Sequence, residues 1–138
     1  MTLWPFPPKP TFGRRAEILG CRYLRRQGYL LLASPYRASR GEIDIVARDG
    51  EFLVFVEVKA RRRDPHPEDA VNPRKQKRIV AAAREYRSQN RRLAGAPYRF
   101  DVLAVVVPSG GKPEFTLYKD AFRVRPEMTA TASGPGQQ

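Results

Sequence analysis

Apolar residues recur at helical spacing in two segments of the chain. The first runs from Thr11 to Gln27, is closed by Gly28, and sets an apolar face against a face rich in arginine. The second begins at Asn72-Pro73, since proline is common at the first helical position, and runs to about Asn90. The pattern predicts two amphipathic helices, each with one side available for packing on a core.

The other apolar positions form short runs that predict five strands: Tyr29 to Ala33, Glu42 to Arg48, Phe52 to Lys59, Phe100 to Val107 and Phe115 to Lys119. Asp49-Gly50, between the second and third runs, is a strong signal for a tight hairpin turn. The order is therefore helix, three strands, helix, two strands. It predicts an α/β fold with a mixed central β-sheet of about five strands flanked by helices.

The composition changes at both ends of the chain. Thr2 to Pro10 carries four prolines, and Thr129 to Gln138 has no apolar periodicity. At 138 residues the chain is long enough for one core. We expect a flexible Pro-rich N-terminus over residues 1–10, a single domain over 11–126 and a disordered tail over 127–138.

The charge is strongly unbalanced. Lysine and arginine number 26 against 14 acidic residues, which gives a net charge of +12. Such an excess destabilises a compact fold unless a partner neutralises it, so a polyanionic partner is the natural inference. The alternative is a basic surface that is merely solvated.

The cysteine and histidine content narrows the chemistry. Cys21 is the only cysteine, so neither an intramolecular disulfide nor a cysteine-held zinc is available. His66 is the only histidine, which argues against sites that need a histidine base as well as histidine ligands. The sequence shows no signal peptide and no apolar stretch of membrane-spanning length, so we expect a cytoplasmic protein without a membrane partner.

A group of charged residues interrupts the predicted hairpin. If Asp49-Gly50 is a two-residue turn, Asp44 lies opposite Phe55 and is a diagonal neighbour of Glu57. Alternation then places Asp44, Glu57 and Lys59 on one side of the sheet, with Glu42 opposite Glu57.

Carboxylates grouped among apolar residues repel each other and are costly to bury, unless a cation holds them together. Mg²⁺ prefers oxygen ligands and retains water that can be activated. Lys59 can reach past the metal towards a water or a phosphate oxygen, as phosphodiester hydrolysis requires. The alternative interpretation is that Lys59 is an ordinary salt-bridge partner of Glu57.

Glu17 lies on the first predicted helix, beside uncharged positions that permit close approach to the sheet. Two interpretations stay open at this point. Glu17 extends the metal site, directly or through a water, or it is a partly exposed residue that pairs with Arg14 or Arg22.

These residues lie in recognisable motifs. Gly41-Glu42-Ile43-Asp44-Ile45-Val46-Ala47-Arg48-Asp49-Gly50, Val54-Phe55-Val56-Glu57-Val58-Lys59-Ala60-Arg61 and Arg99-Phe100-Asp101-Val102 resemble the YraN-like family of small predicted bacterial endonucleases. That family is similar to archaeal Holliday-junction resolvases within the PD-(D/E)XK nuclease superfamily. Two departures are Ile43, where the superfamily name has proline, and Val80 in place of a tyrosine four residues after Gln76.

The resemblance implies a restriction-endonuclease-like core and a Mg²⁺- or Mn²⁺-dependent endonuclease acting on DNA, with branched or junction DNA as the suggested substrate. It implies that Asp44, Glu57 and the Val58 carbonyl hold the metal, that Lys59 positions the nucleophile, and that Glu17 is the first-helix glutamate. A homodimer follows if the substrate is a four-way junction, which requires two symmetric cuts.

The basic residues near the predicted site are candidates for nucleic-acid binding: Arg61, Arg62, Arg63, Arg74, Lys75, Lys77 and Arg78. Arg61 to Arg63 begin a segment, up to Pro73, that suggests a basic arm, with a solvated loop as the alternative.

Asp101 either points inward near its strand end or makes a structural bond to a helix N-terminus. Two competing functions stay open: a non-cleaving nucleic-acid-binding protein, and a structural protein in which Asp44, Glu57 and Lys59 form a salt-bridge network.

Overall fold

Two long helices lie on the two faces of one sheet in the computed structural model, which describes residues 8–63 and 71–129. The helices are α1 (Phe12–Arg26), α2 (Pro73–Gln89) and the short α3 (Pro126–Thr129), with a 3₁₀ turn at Arg91–Leu93. The strands are β1 (Leu30–Ala33), β2 (Tyr36–Arg37), β3 (Glu42–Ile43), β4 (Ile45–Asp49), β5 (Phe52–Arg61), β6 (Tyr98–Val106) and β7 (Glu114–Phe122).

The sheet has the mixed topology expected from the sequence. Its strand order is β1-β4-β5-β6-β7, and β2 and β3 form a separate two-stranded sheet. The β5–β6 pair is parallel, because α2 carries the chain from β5 to the start of β6, and the other pairs are antiparallel. The predicted α/β class with a five-stranded mixed sheet flanked by helices is confirmed, and it is consistent with a restriction-endonuclease-like core.

Side-chain capping fixes where the two long helices begin. The Thr11 hydroxyl accepts a hydrogen bond from the Arg14 backbone N–H at 3.1 Å, and the Asn72 amide oxygen accepts one from the Lys75 N–H at 2.9 Å. Each cap satisfies a backbone donor that would otherwise lack a partner inside the helix. Both helices start within a residue of the predicted positions.

Alternation along the strands divides the core into two layers. Val46, Phe55 and Val102 face α2, whereas Ile45, Val56 and Leu103 face α1. Because β5 has covered residues on both faces, its centre is apolar at every position from Leu53 to Val56, as predicted for a central strand. Glu57 has the parity of the α2 layer, which determines the side of the sheet on which its carboxyl group lies, whereas alternation is interrupted at Asp44, because Ile43 packs in the α2 layer and Ile45 in the α1 layer.

The register of the β4–β5 hairpin differs from the prediction by two residues. Asp49 pairs with Phe52, so the turn residues are Gly50 and Glu51 rather than Asp49 and Gly50. Arg99 holds the Asp49 carboxylate at 2.7 Å and keeps that residue in the strand, while Gly50 supplies the positive φ of +60° that a type II′ turn needs at its first position. The turn still contains two residues, so the residues of β4 and β5 that were predicted to share a face of the sheet still share it.

One strand and the C-terminal end of the domain also differ from the prediction. The strand expected over Glu42 to Arg48 is interrupted at Asp44, so that β3 pairs with β2 and β4 pairs with β1 and β5. At the C-terminus, α3 packs the buried Met128 against the α2 layer, so the folded domain reaches Thr129 rather than ending at residue 126. Met128 is an isolated apolar residue in a polar segment, which periodicity could not identify.

Other predictions lie outside the described residues. These are the N-terminal segment as far as residue 7, the tail from residue 130, and residues 64–70 of the predicted basic arm, which include His66. Within the described residues, no helix is both long and apolar enough to cross a membrane.

Gly41→Ala should destabilise the protein. A Cβ at residue 41 would lie 2.8 Å from the Arg78 carbonyl oxygen, which belongs to the α2 backbone and cannot rotate away. We expect a loss of roughly 1–3 kcal/mol in the free energy of unfolding. Thermal melting measures it against Gly95→Ala, because a Cβ at Gly95 meets nothing within 4 Å. Equal melting temperatures for the two variants would contradict the close packing.

Candidate functional site

The carboxyl groups of Asp44 and Glu57 meet where β4 gives way to β3. The described ladder ends at the Ile45–Val56 pair, and continuing its register places Asp44 opposite Glu57, closer than the predicted diagonal. The two carboxyl groups are within hydrogen-bonding reach of each other. Asp44 also accepts a hydrogen bond of 2.8 Å from the Val58 backbone N–H, which fixes its carboxylate over β5.

Burial makes this carboxyl pair electrostatically costly. Glu57 is only 3% exposed, on the same face as Phe55. Burial and then the charge of Glu57 raise the pKa of Asp44 to about 7, although the hydrogen bond from Val58 acts in the opposite direction. Two negative charges this close need either a proton or a cation between them.

Lys75 supplies the positive charge nearest to Glu57. Its ammonium group forms an ion pair with Glu57 Oε1, while about half of the Lys75 side chain remains exposed. The sequence placed Lys75 among the phosphate-contacting residues, but the structure directs it from the first turn of α2 into the acidic centre. Sequence spacing could not show this, because only the packing of α2 on the sheet brings Lys75 to Glu57.

Lys59 lies beside the acidic centre but forms no ion pair with a carboxylate of the described residues. No carboxylate among the described residues lies within ion-pair distance of its ammonium group, so the ordinary Glu57–Lys59 salt bridge is not formed. Burial, and then the charge of Lys75, lowers the pKa of Lys59. A partly buried ammonium with no ion-pair partner in this part of the chain is available to a negatively charged substrate.

Glu17 and Glu42 extend the acidic centre. One carboxylate oxygen from each of Glu17, Glu42 and Asp44 lies within 4.8 Å of the other two. Burial, and to a smaller degree Asp44, raises the pKa of Glu17 against the effect of its hydrogen bond from Arg14. The predicted pair with Arg14 is formed at 3.0 Å, and Glu17 also lies close to Asp44, so its role as a metal ligand stays a prediction. Glu42 was expected on this face opposite Glu57 but was not among the candidate site residues.

The Val58 carbonyl lies on the same edge of β5 as this centre. In an extended strand the N–H and C=O of one residue point to the same edge, and the Val58 N–H points at Asp44. The β4 ladder ends before Val58, so this edge of β5 is open there. The donor set is thus made of oxygen atoms from Asp44, Glu57, Val58 and Glu17, which suits Mg²⁺ or Mn²⁺.

Asp101 belongs to a different, structural network. Its buried carboxylate accepts hydrogen bonds from the Arg99 guanidinium at 3.0 and 3.2 Å, and from the Asp120 backbone N–H at 3.0 Å. Asp120 has a positive φ of 52°, where the β6–β7 register shifts. Asp101 is fully buried, as the inward-pointing interpretation predicted, and its hydrogen bonds stabilise the irregular part of β7 rather than a helix N-terminus.

Three consecutive arginines lie at the end of β5, and two of them contact neighbouring residues. Arg61 donates a hydrogen bond of 2.9 Å to the Ala60 carbonyl, and the Arg62 guanidinium lies 4.6 Å from the ring centroid of Phe12. Arg62 and Arg63 follow directly after β5 and are exposed, three and four residues beyond Lys59. Arg62 and Arg63 therefore place exposed positive charge at the end of the strand that carries Glu57 and Lys59.

The raised pKa of Asp44 predicts a pH dependence of stability. Because folding favours the protonated form of Asp44, its contribution is present at acidic pH and is lost as the pH rises through about 7. In EDTA, the free energy of unfolding should fall by on the order of 1–3 kcal/mol between about pH 5 and pH 8. Asp44→Asn should reduce this dependence in denaturant titrations at the two pH values. An unchanged pH dependence in Asp44→Asn would show that the carboxyl pair is not electrostatically strained.

The fold and the site define a class: an α/β protein with a mixed five-stranded sheet that carries one buried and one partly buried carboxyl group, close to each other and beside two lysines. The chain belongs to the uncharacterised protein family UPF0102, whose model matches residues 16–105. This range contains Glu17, Glu42, Asp44, Glu57, Lys59 and Lys75.

Curated relatives extend the similarity over most of the fold. A UPF0102 protein of Syntrophus aciditrophicus is 46% identical over 115 residues, which cover 81% of this chain and 88% of the relative. One from Lachnoclostridium phytofermentans is 43% identical over 116 residues, covering 83% and 94%. One from Pseudomonas aeruginosa is 40% identical over 103 residues, covering 73% and 82%.

Proposed function

We propose that this protein is a divalent-metal-dependent nuclease that hydrolyses phosphodiester bonds in DNA at Asp44, Glu57 and Lys59. The observation that carries the proposal is the meeting of two carboxyl groups, one of them 3% exposed, with Lys59 two residues along the same strand face. An arrangement that is costly alone and favourable with a bound cation is typical of a functional site.

The residues present fit a divalent cation. Asp44, Glu57 and the Val58 carbonyl would hold it, with Glu17 as a further ligand directly or through a water, and Lys75 would give up Glu57 Oε1 or share it. When bound, Mg²⁺ or Mn²⁺ neutralises charge on a phosphate and lowers the pKa of water.

The other catalytic contributions come from side chains and backbone groups of the protein. The Val58 N–H orients Asp44, and the packing of β5 between two layers fixes Glu57. Lys59 is placed to hold the attacking water or to stabilise negative charge that develops on the phosphate. Its depressed pKa brings the ammonium nearer to proton exchange at the working pH.

A polyanionic substrate fits the charge. The net charge of +12 and the exposed Arg62 and Arg63 beside the centre favour a phosphate backbone over a small neutral substrate. The resemblance to junction resolvases suggests branched DNA, and for a four-way junction it suggests a homodimer with two centres.

A cleavage screen tests the proposal. End-labelled duplex, nicked, branched and single-stranded DNA, with matching RNA, are incubated with Mg²⁺ or Mn²⁺ and resolved on denaturing gels. We expect cleavage of at least one DNA substrate with either metal, and none in EDTA. Asp44→Asn, purified in parallel, should be inactive, which separates this centre from a contaminating nuclease.

Other outcomes would replace the proposal. Tight DNA binding without cleavage in either metal would favour a non-cleaving binding protein with this fold. Equal cleavage by the wild type and Asp44→Asn would assign the activity to another site.

A further inference from the structure

The outward face of α2 carries a row of positive charge. Its buried residues, among them Ile79, Ala83 and Tyr86, face the sheet. On the opposite side, exposed cations recur at intervals of one or more turns and are joined by an exposed arginine that precedes β3. These residues, Arg74, Lys77, Arg78, Arg84 and Arg40, line a groove of about 290 Å³ together with Ala81 and Met128. We call it the α2 groove.

The groove is held in shape by contacts between its two sides. The Ser39 backbone N–H and hydroxyl donate hydrogen bonds of 2.8 and 2.9 Å to the Glu85 carboxylate on α2. Gly41 lies against the α2 backbone at Arg78. Arg40, between these two anchors, is therefore fixed beside the helix and not carried on a free loop.

Negative charge nearby does not neutralise the groove. Glu85 is engaged by Ser39, and Glu127 pairs with Arg125 at 2.9 Å. Among the described residues, no carboxylate lines the groove. Arg74 lies three and four residues before Lys77 and Arg78, so these like charges repel one another, and an anionic partner would relieve the repulsion.

The dimensions of the row fit a polymer of phosphates. Arg74 and Arg84 are ten residues apart, which is roughly 15 Å along a helix. One strand of a duplex carries a negative charge about every 3.4 Å of axis and winds around that axis, so a straight row of this length reaches at most about four of its phosphates. A single phosphate would use only part of the row.

We propose that the α2 groove binds the backbone of one strand of a DNA duplex, away from the cleavage centre. Lys75, at the edge of the buried face, points to Glu57, whereas the groove residues Arg74, Lys77 and Arg84 lie on the exposed side of the same helix. The inference rests on the proposed function for its ligand, and it enlarges the DNA contact beyond the scissile phosphate. Helix α2 thus contributes Lys75 to the acidic centre and binds the DNA backbone through its exposed side.

Binding without cleavage tests this assignment. Fluorescence anisotropy with a labelled duplex is measured in Ca²⁺ across a salt series for Lys77→Gln/Arg78→Gln/Arg84→Gln. The matched control is Arg26→Gln/Arg92→Gln/Lys112→Gln, which removes the same charge from exposed positions elsewhere. We expect the groove variant to bind at least about tenfold more weakly at low salt, with a slope of log K against log salt smaller by about 2.7. The control should keep the wild-type slope to within about one contact.

The result separates this inference from the nuclease proposal. Equal affinities and slopes for the two triple variants overturn the groove. Wild-type protein that binds vesicles of phosphatidylserine and phosphatidylcholine through the groove residues, and not duplex DNA, overturns it as well. A groove variant that loses duplex binding supports the assignment whether or not the wild type cleaves, because the readout does not depend on Asp44 or Glu57. Circular dichroism and melting of both variants confirm that each is folded.

Discussion

Glu57→Ala should lower metal-dependent cleavage by at least about a thousandfold and leave DNA affinity equal to that of the wild type or higher. Glu57 is buried at the acidic centre, so its carboxylate can contribute to metal binding but little to contacts with a nucleic-acid backbone. Removing a negative charge near the phosphates reduces repulsion, which favours binding. Single-turnover cleavage in Mg²⁺ and anisotropy in Ca²⁺ measure the two effects separately.

Lys59→Ala supplies the matched contrast. It should also lose cleavage, but it should retain the divalent ion, because lysine is not a ligand for it. Glu51→Ala, at the exposed hairpin turn, is the control and should cleave as the wild type does. Metal-dependent cleavage that survives in both the Glu57 and the Lys59 variants would refute the assignment of the centre. Loss of folding in both variants would instead show that Glu57 and Lys59 have a purely structural role.

Asp101→Ala should reduce the free energy of unfolding by roughly 2–4 kcal/mol, because the mostly buried Arg99 guanidinium loses its fully buried partner and keeps only the more exposed Asp49 carboxylate. The Asp101 carboxylate is fully buried and holds the Arg99 guanidinium, which is itself only 12% exposed. The variant also frees the Asp120 backbone N–H at the irregular part of β7. Denaturant titration measures the loss against Glu114→Ala, an exposed residue on the same strand.

A double variant distinguishes this charge network from simple packing. Arg99→Met/Asp101→Leu removes both charges, so it should cost less than Asp101→Ala alone if the incompletely compensated guanidinium is the cause. A double variant that is less stable than the single variant would contradict this explanation. In either case Asp44 and Glu57 are untouched, so any loss of activity follows from folding.

Parity explains why much of the acidic centre could be predicted from the sequence. Glu57 and Lys59 share a face by strand alternation, and a turn of even length brings Asp44 close to Glu57 despite an error of two residues in the register. The order and type of the long elements followed from apolar periodicity, since each of them buries one face or both. Glu17 could be placed near the sheet because the helix positions around it are small or apolar.

The features that escaped prediction depend on tertiary contacts. The Lys75–Glu57 ion pair requires knowledge of how α2 rotates on the sheet, and helical spacing alone does not supply it. The break at Asp44 depends on the pairing of β3 with the two-residue strand β2, which is too short to give a pattern. The role of Asp101 depends on an irregular register in a neighbouring strand.

The central claim is that Asp44 and Glu57 form a divalent-cation site, and Mn²⁺ binding tests it most directly. Electron paramagnetic resonance of free Mn²⁺ gives the bound fraction for the wild type, Asp44→Asn, Glu57→Gln and Lys59→Ala, without any nucleic acid present. We predict saturable binding to the wild type and Lys59→Ala, weakened by at least about tenfold in Asp44→Asn and Glu57→Gln. Equal Mn²⁺ binding by all four proteins, or none by the folded wild type, would contradict the claim.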